Sequence, residues 1–283
     1  MATKSTPVRA DARTPVRTRG TVQAVRHALQ LLRCLSGEGP LGVSELAGRV
    51  GLHKSSVSRL VATLFDDDLV ERDRGSRRLR VGPGMLSLSF PLLDRIRMPD
   101  TTRAQLAELA RESGETITLG IWDGAGAVNV EQALGARAIK HYAPPGSRNP
   151  AHCTASGKLL LAYASPASIE RVIARGLARY TPKTVVVPGA LRAELADIRR
   201  QRYAANLGEF AQDVGALAVP VLDASGEVGA ALTATVPMYR FAPDRRTLLR
   251  EMLHASARAI EESRRRTGAD GQYSGRIRVE EGE

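Results

Sequence analysis

The tightest constraint on the fold lies between Ser44 and Leu64, where two short helical signals stand on either side of one glycine. Ser44 is placed to cap the run Glu45 to Val50, Gly51 supplies a sharp turn, and a further helix starts near Lys54 with Val57, Leu60, Val61 and Leu64 on one face. Upstream, Val22, Val25, Leu29, Leu32 and Leu35 recur at steps of three and four, which predicts an amphipathic helix from about Thr21 to Gly37. Downstream, Leu69 and Val70 open a short strand, Arg74-Gly75-Ser76-Arg77-Arg78 makes a basic turn, and Leu79 to Val81 returns as a second strand. Three helices followed by a basic hairpin form the layout of a winged helix-turn-helix, here over residues 21–82.

A helix of this size fits the major groove of B-form DNA, and the second helix of such a pair offers its N-terminal residues to base edges. Lys54, Ser55, Ser56, Ser58, Arg59 and Thr63 face outward there, all able to hydrogen-bond. Serines near a helix start bond phosphate oxygens alongside free backbone N–H groups, whereas Arg59 is long enough for a guanine edge or a phosphate. Arg74, Arg77 and Arg78 in the wing are suited to the backbone or minor groove and to salt-dependent affinity. Polar side chains on one helix are usually only solvated. Here the order short helix, glycine turn, Ser/Arg helix and basic hairpin points to DNA.

Charge agrees with that reading. The chain of 283 residues has 41 Lys+Arg against 30 Asp+Glu, a net of +11. Residues 1–82 hold 15 of the basic and 8 of the acidic side chains, net +7, leaving +4 for the rest. Residues 1–20 lack an apolar period and predict a disordered basic arm able to add phosphate contacts. No secretory apolar core and no run of eighteen apolar residues occurs, which predicts a cytoplasmic protein without a membrane partner; two cysteines fit a reducing compartment.

Gly82-Pro83-Gly84 breaks the chain, and a Leu-rich stretch predicts a linker helix over 83–97, with Pro91 inside it. Residues 98–266 then read as an α+β domain. Helices are expected over Thr101 to Ser113, from Ser165-Pro166 to Gly176, over Ala190 to Gln201 and over Pro243 to Arg264. Strands are expected over Glu115 to Trp122 and Ala127 to Gln132 about the turn Asp123-Gly124, and over Ala216 to Leu222 and Val228 to Val236. Residues 267–283 predict a disordered tail. His152 to Gly157 leads into a helix whose start suits a carboxylate, and the alternation Ala231 to Thr235 puts Thr233 and Thr235 on one face.

Catalytic and metal motifs fail on spacing. Gly157-Lys158 lacks the Ser/Thr and the earlier glycine of a phosphate loop, the five histidines are scattered, and no Cys-x-x-Cys exists, so no metal and no cofactor are assigned. The enzymatic alternative is a thiol-dependent hydrolase using Cys153, although the adjacent His152 is badly placed to serve it.

Beyond the individual motifs, the chain resembles the IclR (isocitrate lyase regulator) type of bacterial transcription factor. The resemblance rests on Gly39-Pro40-Leu41, Ser44-Glu45-Leu46-Ala47, Gly51 to Leu60, Ala62-Thr63-Leu64 and Leu69-Val70-Glu71-Arg72. It continues through Gly114-Glu115-Thr116, Pro145-Gly146-Ser147-Arg148, Ala155-Ser156-Gly157-Lys158, Tyr203-Ala204 and Ala218-Val219-Pro220-Val221. It implies a GAF-like effector domain that takes a small organic or aromatic acid. Carried over by position, the effector residues are Ala155, Ser156, Ala216, Thr233 and Thr235, with Glu209 from the preceding loop. It also implies a homodimer or tetramer on a roughly palindromic DNA operator, acting as repressor or activator and not as an enzyme.

Overall fold

The computed structural model describes residues 22–95 and 99–267. The arm expected over 1–20, the end of the linker and, apart from Thr267, the tail expected over 267–283 lie outside the described residues. The chain divides into two compact units between Leu92 and Leu93.

In the first unit α1 (Gln23–Glu38), α2 (Val43–Val50) and α3 (Lys54–Asp66) precede a two-stranded antiparallel sheet of β1 (Val70–Arg72) and β2 (Leu79–Val81). Leu41 adds a single bridge to Leu79 at the sheet edge. The core is Leu31, Leu35, Leu46, Val57, Val61, Leu64, Val70 and Leu79, and each such side chain taken fully out of water contributes about 1.5–3 kcal/mol. Gly51 adopts the left-handed conformation (φ +67°) that lets the chain reverse between α2 and α3. Then α4 (Gly84–Arg95) runs through Pro91 across the boundary.

Two expectations are corrected here. Of the apolar set predicted for α1, Val22, Val25 and Leu29 are exposed, and the helix instead buries Leu31, Leu32 and Leu35. The first three sit roughly a quarter to a third of a turn away from the buried stripe, because the true core face is centred on Leu31 and Leu35. The cap of α2 is Gly42 and not Ser44: Glu45 reaches back to accept the Gly42 N–H at 2.7 Å, so Ser44 falls inside the first turn.

The second unit begins with α5 (Asp100–Ser113), β3 (Thr116–Trp122), β4 (Gly126–Ala133) and β5 (Arg148–Pro150). It continues with α6 (Ala155–Tyr163), α7 (Pro166–Ala174), α8 (Pro188–Gln201), β6 (Ala204–Leu207), β7 (Val214–Leu222), β8 (Val228–Pro237) and α9 (Pro243–Thr267). Six strands form one sheet in the order β5-β4-β3-β8-β7-β6, and every neighbouring pair is antiparallel. The β3–β4 turn centres on Gly124 and Ala125, one residue later than expected, because Asp123 already pairs with Gly126 and its Oδ1 accepts the Ala125 and Gly126 N–H groups. The start of α7 is as the sequence indicates: Ser165 Oγ accepts the Ser168 N–H at 3.2 Å and Pro166 opens the first turn.

The two faces of this sheet differ in kind. Ile117, Leu119, Leu217, Val219 and Leu232 pack against Leu106 of α5 and Leu249 and Leu253 of α9. On the opposite face the strand residues are small, Ala127, Ala204, Ala216, Ala218 and Ala231, and they meet Leu159 and Leu161 of α6 and Leu191 and Leu195 of α8. Small residues let α6 approach the sheet closely, and the positions between and beyond them carry hydroxyl groups. That face positions the candidate effector site.

Candidate functional site

The first unit offers a polar surface. With Val57, Val61 and Leu64 buried, α3 leaves Lys54, Ser55, Ser56, Ser58, Arg59 and Thr63 exposed. Its N-cap, His53, makes no side-chain cap, so the first N–H groups of the helix have no side-chain acceptor and are open to an anion. Thr63 Oγ1 donates back to Arg59 O at 3.3 Å. In the wing, Arg74 and Arg77 are exposed with no ion pair among the described residues. Arg78 instead reaches Pro40 O and Glu45 Oε1, both at 3.0 Å, and ties the wing to the start of α2. Glu45 itself is held below the usual carboxylate range, first by the Gly42 N–H and then by neighbouring Arg78 and Arg49.

In the second unit, strand register assembles a polar patch on the α6 side of the sheet. One row across the strands is Asn206, Ala216, Thr235 and Thr116. The adjacent row is Ala204, Ala218, Thr233, Thr118 and Gln132. Thr116 Oγ1 donates to His141 O at 2.7 Å. Thr233 Oγ1 and Gln132 Nε2 are both buried with no hydrogen-bond partner among the described residues. Packed over this face, α6 starts at Thr154, whose Oγ1 accepts the Gly157 N–H at 3.1 Å and donates to Pro150 O at 2.7 Å. The earlier N–H groups, Ala155 and Ser156, have no acceptor within the helix. A Cβ on Gly157 would collide with Pro150 O and lie 2.6 Å from Thr154 Oγ1, so glycine is what seats the helix start against β5.

Of the residues the sequence indicates, Ala216, Thr233 and Thr235 share this one face, and Ala155 and Ser156 open the helix that covers it. Glu209 joins the unit through Lys158. The Lys158 ammonium is fully buried and lies 2.7 Å from both Glu209 oxygens and 2.5 Å from Glu194 Oε1. Burial pushes the Glu209 carboxyl up, with Lys158 opposing. Further ties hold its loop: Asn206 Oδ1 accepts the Glu209 N–H, and Thr181 and Thr184 donate to Glu209 O. Thr116, Thr118, Gln132, Asn206 and Lys158 are additions that sequence reasoning missed. The alternation Thr116-Ile117-Thr118-Leu119 was a readable signal for two of them.

The thiol-hydrolase alternative is contradicted by the surroundings of Cys153. Its side chain is fully buried, and burial pushes the thiol up to about 12, so no thiolate forms near neutral pH. His152 Nε2 is engaged with Ala178 O at 2.8 Å rather than with the sulfur. Among the described residues no group of His, Cys, Asp or Glu is arranged to hold a metal ion, and no helix is long and apolar enough to cross a membrane.

A winged helix-turn-helix unit in one chain with a hydroxyl-lined α/β unit defines a DNA-binding transcriptional regulator with a ligand-binding domain. Comparison with known proteins agrees: the IclR helix-turn-helix domain matches residues 24–74 and the bacterial transcriptional regulator IclR C-terminal domain matches residues 91–262. The chain belongs to the IclR family. It is 30% identical over 242 residues to the HTH-type transcriptional regulator KdgR of Escherichia coli K12, covering 85% of this chain and 92% of that protein. It is also 30% identical over 241 residues to XynR of the same organism, covering 84% and 96%. An IclR transcriptional regulator from Alicyclobacillus acidocaldarius superposes with a TM-score of 0.69 at 25% identity, covering 86% of this chain and 98% of that one. An IclR homologue from Microbacterium hydrocarbonoxydans, solved with 4-hydroxybenzoate, shares the fold with a TM-score of 0.70 at 24% identity, covering 86% and 99%. These relatives are transcriptional regulators and not enzymes.

Proposed function

We propose that this regulator binds a specific, roughly palindromic operator as a homodimer or tetramer and is controlled by a small organic or aromatic acid held in its second unit. The reading of bases falls to α3, with Arg59 the side chain long enough for a guanine edge and Ser55, Ser56 and Ser58 serving phosphates. Lys54, Thr63, Arg74, Arg77 and Arg78 supply the surrounding polar and positive field, Arg78 while also holding the wing. The effector acid places its carboxylate at the Ala155 and Ser156 N–H groups and its body over Ala216, Thr233 and Thr235, with Glu209 at the border. Residues 21–82, 83–97 and 98–266 act as reader, linker and sensor, and the acid regulates only by preferring one arrangement of the readers over another.

The observation that carries this reading is the exposed Ser/Arg face of an α3 whose first turn is uncapped. Its test is anisotropy titration of DNA from the gene's own upstream region against random DNA of equal length at about physiological salt. A preference of at least about a thousandfold is expected, and Arg59→Ala is expected to lose about 1–3 kcal/mol of it. Equal, weak and steeply salt-dependent binding of fragments selected genome-wide and of random DNA would reject sequence reading.

A further inference from the structure

Two buried polar atoms in the second unit lack partners, and strand register brings them to one place. Thr233 on β8 pairs with Thr118 on β3, and Thr118 pairs with Gln132 on β4, so the three lie abreast across neighbouring strands. Thr233 stands two residues from Ala231, which packs against α6, and therefore faces the same side. Thr233 Oγ1 and Gln132 Nε2 are shielded from solvent and bonded to nothing among the described residues, although native proteins leave few such groups unmatched. The Gln132 amide N–H is a donor only, so what is missing beside it is an acceptor. The Thr233 hydroxyl either gives or takes a hydrogen bond.

We propose that Gln132 and Thr233 are specificity-determining residues that together bind an oxygen of the effector other than its carboxylate, which makes the effector class an acid with a second oxygen function: hydroxy, keto or dicarboxylic. This rests on the reading of the α6 face as the effector site. The carboxylate is taken by the Ala155 and Ser156 N–H groups, and the second oxygen fills the Gln132–Thr233 position across Thr118. A site built to hydrogen-bond such an oxygen rejects the analogue lacking it, because the buried donors are then left unpaired.

The test is calorimetric titration of the full chain with matched probes, butanoate against 2-oxobutanoate and 3-hydroxybutanoate, benzoate against 4-hydroxybenzoate, and butanoate against succinate. At least one oxygenated acid is expected to bind about tenfold or more tightly than its partner, and Gln132→Leu is expected to close that gap. Thr233→Val, which keeps shape and removes the hydroxyl, is expected to narrow the same gap and guards against a folding defect in the first variant. If the unsubstituted acids bind as tightly as their oxygenated partners, or if the gap survives in both variants, the inference is overturned while the effector site stands. Binding of no acid of either kind overturns the effector-site reading and this inference together.

Discussion

Replacing Lys158 by methionine removes one charge from the interior of the second unit and leaves two carboxylates facing each other. The lysine is fully buried, Glu209 is nearly so, and Glu194 is about one-third exposed, so Glu194 can turn to water and Glu209 cannot. At the 2.7 Å separation of Lys158 and Glu209, an effective dielectric constant of about 20 gives a gross attraction of about 6 kcal/mol. Desolvation offsets part of it, and breaking a buried pair from one side costs about 3–5 kcal/mol. For a unit of this size each kcal/mol lowers the melting temperature by about 2–4 °C, so Lys158→Met is expected to melt about 6–20 °C lower. Urea unfolding at pH 7.5, followed by circular dichroism, measures the loss directly. Burial already holds the Glu209 carboxyl above its ordinary range, and without the ammonium nothing opposes that rise. The folded variant therefore takes up a proton that the unfolded chain does not, and its deficit against the wild type shrinks as pH falls toward 5.5. Adding Glu209→Gln is expected to recover at least about half of the loss, since it removes the uncompensated charge. A single variant within about 1 kcal/mol of wild type, or a double variant no better than the single, would refute the reasoning.

Two further outcomes follow from burial in the same unit. His141, His152 and His254 are all held below the usual imidazole range, each chiefly by burial and His254 also by neighbouring arginines. Their stabilising contribution is complete above about pH 6.5 and is lost as pH falls through their lowered folded values, with Glu209 opposing just above the ordinary carboxylate range. Unfolding free energy is expected to decline from pH 7.5 to 5.5, and a flat or rising profile would contradict it. Cys153 is expected to resist iodoacetamide at pH 8 in the folded protein and to react once urea unfolds it, as read by peptide mapping that separates it from Cys34. Labelling of folded Cys153 at the rate of the unfolded thiol would show that the site is open.

Much of the DNA-binding unit could be read from the chain alone, because its signals are local. The αL turn at Gly51, the single apolar face of α3 and the hairpin residues each act within a few positions of one another. The same holds for the Ser165-Pro166 start of α7 and for Thr233 and Thr235 on one side of β8. The buried face of α1 could not be read so well: Val25 and Leu29 suit an apolar stripe as well as Leu31 does, and only packing against α2, α3 and β2 decides which is covered. The short edge strands β5 and β6 contain three and four residues, too few to display a period. Gln132 shares a row with Thr233 only through a register that shifts between Leu119 and Gly120, and Lys158 meets Glu194 and Glu209 from 36 and 51 residues away. The sequence by itself determined the elements with short-range periodicity and the residues able to face DNA. Tertiary structure alone decided which polar groups are buried together, because strand register and buried charge pairing are settled between segments that no local pattern connects.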